Sequence, residues 1–255
     1  MPAIQTEGLV KRFGDFTAVG GLDLVVPAGV IFGFLGPNGA GKTTTLKMLT
    51  GLLRPTAGTV RVAGFDVMAQ PLEVKARIGV VPETLALYER LSALEYLELV
   101  GRLHGLDATT IQTRRRDLLD HLNLADQATN YTLDFSTGMR KKLALAAALL
   151  PNPQILFLDE PFEGVDAISA RTIKDILRTL VDRRGVTVFF STHIMELVER
   201  LCDQAAILNH GHLVAQGDLP TLRAQAATGG DATLEEVFLK LVDARPQGAA
   251  DLDWL

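Results

Sequence analysis

The segment Gly36-Pro37-Asn38-Gly39-Ala40-Gly41-Lys42-Thr43 constrains the fold more than any other part of the chain. It fits the pattern G-x-x-x-x-G-K-[ST], which cradles a phosphate only when a strand precedes it and a helix follows. Both are present: the apolar run Val30 to Leu35 comes before it, and a helical pattern, Thr44 to Leu52, comes after. In that setting the glycines let backbone N–H groups converge on an anion. Lys42 neutralises its charge, and the Thr43 hydroxyl is suited to ligate Mg²⁺. With glycine near 7% of average usage, a chance match in a chain this long has odds on the order of one in a hundred. A merely structural glycine turn is therefore a weak explanation.

The runs Leu22 to Val26, Val30 to Leu35, Ile78 to Val81, Ile155 to Leu158 and Val186 to Phe190 predict buried strands, with helical patterns between them. This alternation predicts an α/β fold with a mostly parallel core sheet. The N-terminal segment and Gly58 to Val62 are expected to add an antiparallel β subdomain. Strand signals stop between Glu83 and Pro151, where apolar spacing predicts an inserted α-helical subdomain over 84–150. Residues 205–216 read as a hairpin turning at Asn209-His210-Gly211-His212. With no third ligand nearby, those two histidines read as an exposed turn and not as a metal site. Residues 217–243 form an expected helical extension, since Leu234, Val237, Phe238 and Leu241 mark one apolar helix face. The expected domain ends there, and 244–255 are expected to be a loose tail.

Two adjacent carboxylates, Asp159 and Glu160, end the apolar strand Ile155 to Leu158, at the sheet edge where α/β proteins place ligands. If strand alternation continues through the pair, Asp159 faces a Mg²⁺ shell and Glu160 reaches an attacking water as general base. His193 ends the strand Val186 to Phe190 in Ser191-Thr192-His193, where an imidazole can hydrogen-bond a terminal phosphate oxygen. Ser136, in Phe135-Ser136-Thr137-Gly138-Met139, is placed as an N-cap for the helix Arg140 to Leu150. Arg140, Lys141 and Lys142 read as a solvated face of that helix.

These motifs, in this order, resemble the nucleotide-binding subunit of ABC transporters, over roughly Ile4 to Val242. The resemblance implies a P-loop NTPase core that binds and hydrolyses ATP with Mg²⁺. It makes Gly36 to Thr44 a Walker A loop, Pro82-Glu83 a Q-loop, Phe135 to Met139 an LSGGQ-like signature and Ile155 to Glu160 a Walker B strand. Asp166 ends a D-loop and His193 is the switch histidine. It also implies that Phe13 stacks on adenine with Val19 near the base, and that Glu160, His193 and Lys42 carry catalysis. Two copies stack head to tail, so that Ser136 and Gly138 of one complete the nucleotide site of the other. A membrane permease, a separate chain, docks near Glu83, where Leu85, Leu87 and Tyr88 are candidates for an apolar groove.

The chain departs from the family pattern in two places. Glu83 stands at the glutamine position and, if it serves, ligates Mg²⁺ as a carboxylate. Thr137 and Met139 replace a glycine and a glutamine, and β-branched Thr137 is expected to keep ordinary helical or extended geometry. These variants, with Leu234-Glu235-Glu236-Val237-Phe238, resemble the ABC-2 type exporter subfamily.

A net charge of −5 argues against a surface for nucleic acid. The sole Cys202 suits a reducing compartment. The N-terminus shows no secretory signal. The uncharged stretch Leu24 to Gly41 is broken by Pro27, Pro37 and five glycines, so no transmembrane helix is expected and the subunit is placed peripherally on the cytoplasmic face of the membrane. The rival reading, a mechanical ABC ATPase acting on nucleic acid or ribosomes, lacks the long insert such proteins carry. A P-loop kinase is disfavoured by the Asp159-Glu160 pair with His193, and a GTPase by the absence of an Asn-Lys-x-Asp motif.

Overall fold

The computed structural model describes residues 1–227 and 232–242. The expected tail, Ala244 to Leu255, lies outside them, as does residue 243. Strands β1 (Ile4–Phe13) and β2 (Phe16–Val26) form an antiparallel hairpin, followed by β3 (Ile31–Leu35) and helix α1 (Lys42–Leu49). Next come β4 (Ala57–Val62), β5 (Phe65–Asp66), α2 (Pro71–Lys75) and β6 (Ile78–Val81). The helical insertion holds α3 (Ala93–Leu103), α4 (Ala108–His121), two 3-10 turns (Ala125–Gln127 and Thr132–Asp134) and α5 (Thr137–Leu149). The chain then alternates through β7 (Ile155–Asp159), α6 (Ala167–Arg184), β8 (Thr187–Thr192), α7 (Met195–Leu201), β9 (Gln204–Asn209) and β10 (His212–Gly217). It closes with α8 (Leu219–Gln225) and α9 (Leu234–Leu241).

Two sheets result: a four-stranded antiparallel one in the order β2-β1-β4-β5, and a six-stranded one in the order β10-β9-β3-β8-β7-β6. The five strands β9, β3, β8, β7 and β6 are parallel, and β10 returns antiparallel at the edge. One expected core strand belongs elsewhere. Leu22 to Val26 is the end of β2 in the antiparallel sheet, where Leu22, Leu24 and Val26 are buried while Asp23 and Val25 face solvent. A strand covered on one face alternates in this way, whereas β3, β7 and β8 are buried at every position.

The parallel strands separate two apolar cores by strict alternation. Phe32, Phe34, Phe157 and Phe189 point into the core shared with α1 and the antiparallel sheet. Ile31, Leu35, Leu156, Leu158, Val188 and Phe190 point into the core under the remaining helices. Phe189 stacks on Phe32 with ring centroids 5.7 Å apart and planes at 7°, and it meets Phe34 and Phe157 at 5.3 and 5.6 Å. These rings bind together the three strands whose ends carry the candidate site. As expected, α9 buries Leu234, Val237 and Phe238 against the main domain. A capping box at Thr233 and Glu236 starts that helix.

Candidate functional site

Strand register brings the sequence-predicted residues together. Leu35 pairs with Thr192, and Asp159 pairs with Ser191, so β3, β8 and β7 end side by side. The loop after β3, the carboxylates after β7 and His193 after β8 therefore meet at one edge, with strands about 4.8 Å apart. Gly36 N–H extends the β3–β8 pairing by donating to Thr192 O at 3.3 Å.

The loop is shaped for an anion. Gly41 has φ +103°, and a Cβ there would lie 2.6 Å from Ala18 O, so only glycine fits. Gly41 is also the N-cap of α1, where it provides no side-chain cap, and no acidic residue occupies the first turn. The N–H groups and positive dipole end of α1 are thus available to phosphate oxygens. Pro37, Asn38 and Gly39 form the exposed tip of the loop, whereas Lys42 is buried. The Lys42 ammonium donates to Gly36 O at 2.8 Å and Pro37 O at 3.2 Å, and it stands 3.3 Å from Glu160 Oε1. His193 Nδ1 lies 3.2 Å from the same oxygen. Lysine, glutamate and histidine from three separate strand ends converge on one carboxylate oxygen.

The two carboxylates diverge for a reason other than the expected strand alternation. Asp159 is the last residue of β7, and its Oδ1 accepts the Ser191 hydroxyl, which fixes the carboxylate's rotation. Glu160 lies beyond the strand in the left-handed region, with φ +45°. A non-glycine residue held there is strained and persists only where its surroundings over-determine it. Its N–H donates to Ser191 O at 3.2 Å and to Ser191 Oγ at 3.1 Å. Its carbonyl accepts from Lys141 Nζ at 2.6 Å and Glu163 N at 3.3 Å. A backbone turn, not the pleat, separates the two carboxylates.

Ser136 caps α5 as expected, accepting from Met139 N at 3.3 Å. The helix begins at Thr137, three residues before the expected Arg140, and Thr137 keeps the ordinary helical geometry expected of it. The solvated face expected at Arg140 to Lys142 is absent at its last two residues, since Lys141 and Lys142 are both 7% exposed. Burial pulls both ammonium groups down from the ordinary lysine value, opposed at Lys141 by Glu163, Glu160, Glu83 and Asp159 and at Lys142 by Asp166. The run Leu143 to Leu150 that follows is apolar on every face of the helix, and this was the available sign that α5 is enclosed. Gly138 is buried as well: a Cβ would lie 2.7 Å from both Asp166 Oδ2 and Ser169 Oγ of the same chain. Asp166 is the N-cap of α6, accepting from Ile168 N at 3.0 Å and Ser169 N at 2.9 Å. Hydrogen bonds from Ser169 and then Ile168 hold its carboxyl below the usual carboxylate range.

Ser136, Gly138 and Asp166 thus group at the α5–α6 junction and make none of the hydrogen bonds or ion pairs of the Lys42, Glu160 and His193 cluster. Phe13 is 49% exposed, with Lys11 Nζ 5.0 Å above its ring, so it is a surface aromatic and no part of the core. Val19 is fully buried and packs against Gly41, so it shapes the loop from beneath. Glu83 is exposed, two residues beyond β6. Leu85 and Leu87 line a groove of about 450 Å³ with Leu52, Tyr96, Val100 and His104; Tyr88 is exposed outside that lining. The 209–212 turn has a role the sequence did not disclose. His210 and His212 are exposed, but Gly211 N donates to Ala40 O at 3.0 Å and Gly211 O accepts from Gly20 N at 2.9 Å, tying the phosphate loop to β2. Among the described residues there is no group of three or more His, Cys, Asp or Glu able to hold a metal, and no helix long and apolar enough to cross a membrane.

Residues 19–163, which hold the phosphate loop and both carboxylates, match the ABC transporter family. The chain belongs to that family. It is 41% identical over 249 residues to the daunorubicin/doxorubicin resistance ATP-binding protein DrrA of Streptomyces peucetius, covering 98% of this chain and 73% of that one. It is 37% identical over 268 residues to the Nod factor export ATP-binding protein I of Ralstonia nicotianae, covering 96% and 83%. Among solved structures, an ATP-binding subunit of an ABC transporter superposes with a TM-score of 0.87 at 30% identity, over 94% of this chain and 99% of the other. A dimeric bacterial ABC transporter cassette superposes with a TM-score of 0.78 at 25% identity, over 85% and 98%. This ABC subunit is an ATPase that serves a transporter, and it binds ATP.

Proposed function

We propose that this ABC subunit drives export by hydrolysing ATP between two head-to-tail copies, with Glu160 as general base. The observation that carries this reading is the convergence of Lys42 and His193 on Glu160 Oε1 at the carboxyl ends of adjacent strands. Gly36 to Thr44 wrap the phosphates, and Phe13 offers its exposed ring to adenine. Phosphate oxygens compete with the loop carbonyls and Glu160 for the Lys42 ammonium, which releases the carboxylate to accept a proton from water. His193 holds that carboxylate in line with the terminal phosphate.

Thr43 and Asp159 are the oxygen ligands that would hold Mg²⁺, with Glu83 at the same sheet edge, and a bound ion would supply charge neutralisation to the phosphates. Ser136 and Gly138 of the second copy close the site from the far side through the N-terminus of α5, and Asp166 orders the junction beneath them. The groove lined by Leu85 and Leu87 receives a helix of a separate integral-membrane permease, which holds the subunit on the cytoplasmic face of the membrane and selects the cargo. Export is supported by the relatives named for Nod factor export and drug resistance.

The test is Glu160→Gln, which keeps shape and removes the base. ATP binding is expected to persist, hydrolysis to fall by roughly 10²-fold or more, and the protein to elute as an ATP-dependent dimer. An active variant that stays monomeric with ATP refutes the reading.

A further inference from the structure

We propose that Lys141 is a positioning residue for hydrolysis: from the signature helix it grips the carbonyl of Glu160 and so holds the left-handed turn that aims the Glu160 carboxylate. This rests on the assignment of Glu160 as the base. The Glu160 peptide is clamped on both sides, its N–H by Ser191 and its carbonyl by Lys141 Nζ at 2.6 Å. The other donor to that carbonyl is Glu163 N, at 3.3 Å, which is longer and uncharged. Charge-assisted bonds are the stronger kind, so the grip on this strained peptide lies chiefly with Lys141. Without it a buried carbonyl keeps one weak partner, and φ +45° at a glutamate relaxes toward the common regions. A relaxed turn rotates the side chain away from Lys42 and His193.

The position of the lysine argues against a purely packing role. It lines a small cavity with Val81, Leu145, Leu158, Pro161 and Ile173, apolar surroundings that suit a methionine equally well. Burying an ammonium carries a desolvation penalty that a methionine would not incur. The ammonium is therefore explained by what it holds and not by the space it fills. Because Lys141 sits just under one turn from Gly138, it also joins the signature end of α5 to the base of its own chain's site.

The experiment compares Lys141→Met, Lys141→Arg, Glu160→Gln and the Lys141→Met/Glu160→Gln double variant in the full chain, by steady-state ATP hydrolysis, nucleotide binding and thermal unfolding. Lys141→Met is expected to lower kcat roughly ten- to hundred-fold, the scale of a small misplacement of a catalytic group. KM for MgATP and the unfolding temperature should hold. Lys141→Arg should restore most of the rate, and Lys141→Met should cost nothing further in the Glu160→Gln background. A Lys141→Met variant with wild-type kcat overturns the proposal, as does a loss that tracks a lowered unfolding temperature. A Glu160→Gln variant hydrolysing at the wild-type rate overturns the base assignment itself, whereas an inactive Glu160→Gln beside a fully active Lys141→Met overturns Lys141 alone.

Discussion

Gly138→Ala separates two explanations of the signature glycine, because they predict opposite signs in the chain without nucleotide. If Gly138 matters only for close approach to a partner's phosphate, alanine should stabilise the free chain. A glycine in a helix costs about 0.5–1 kcal/mol relative to alanine. The structure predicts the reverse. The new methyl would lie 2.7 Å from Asp166 Oδ2, 2.7 Å from Ser169 Oγ and 3.0 Å from Ser169 Cβ, well inside ordinary contact. Neither oxygen moves freely, since Asp166 accepts from both Ile168 N and Ser169 N as the cap of α6, and Ser169 is buried. Overpacking by one methyl costs about 1–3 kcal/mol. Less the propensity gain, the net change is a destabilisation of about 1 kcal/mol, or a fall in Tm of about 2–4 °C for a domain of this size. The assay is denaturant unfolding of the nucleotide-free chain, with Ser169→Ala in both backgrounds. Removing the Ser169 hydroxyl should recover part of the loss, giving a coupling of about 0.5 kcal/mol or more. An alanine variant as stable as the parent, or more so, refutes the packing argument.

Two further outcomes test the scaffold. Phe189→Ala removes the ring that meets Phe32, Phe34 and Phe157, and should cost about 3–5 kcal/mol in denaturant unfolding; a cost below about 2 kcal/mol would show that the strands close around the gap. The N-caps Asp107, Asp166 and Asp218 all have carboxyls held below the usual range, chiefly by hydrogen bonds from Thr110, Ser169 and Thr221. A group whose folded value is depressed contributes stability above its unfolded value and loses it as pH falls through the folded one. Tm should therefore hold down to the ordinary carboxylate range and then drop. The triple Asn variant, which keeps the caps without the charge, should show a shallower drop, and equal slopes would refute the assignment.

The placement of the glycine-rich loop, the paired carboxylates and His193 at strand ends was legible because each is a short motif attached to an apolar strand, and a strand's end is readable from its own residues. The α/β class followed from alternation over many residues, a signal that survives local error. Misreadings arose where a residue's surroundings come from distant chain. Leu22 to Val26 is apolar enough for either sheet, and only its pairing with β1 assigns it to the antiparallel one. Lys141 and Lys142 read as solvated because charge is normally exposed; the carbonyls that hold them, Glu160 O and Asn123 O, lie 19 residues away in either direction.

By itself, then, the sequence determined the glycine-rich loop, the carboxylate pair and the strands that present them, since each rests on neighbours within a few residues. Tertiary structure alone decided the order β3-β8-β7 that brings Lys42 and His193 to Glu160, the left-handed turn that separates Glu160 from Asp159, and the burial of Lys141 against that turn. These are contacts between residues about 20 to 150 positions apart. Hydrogen bonding and burial set them only after the parallel strands have closed, and no local pattern encodes which strands will lie side by side.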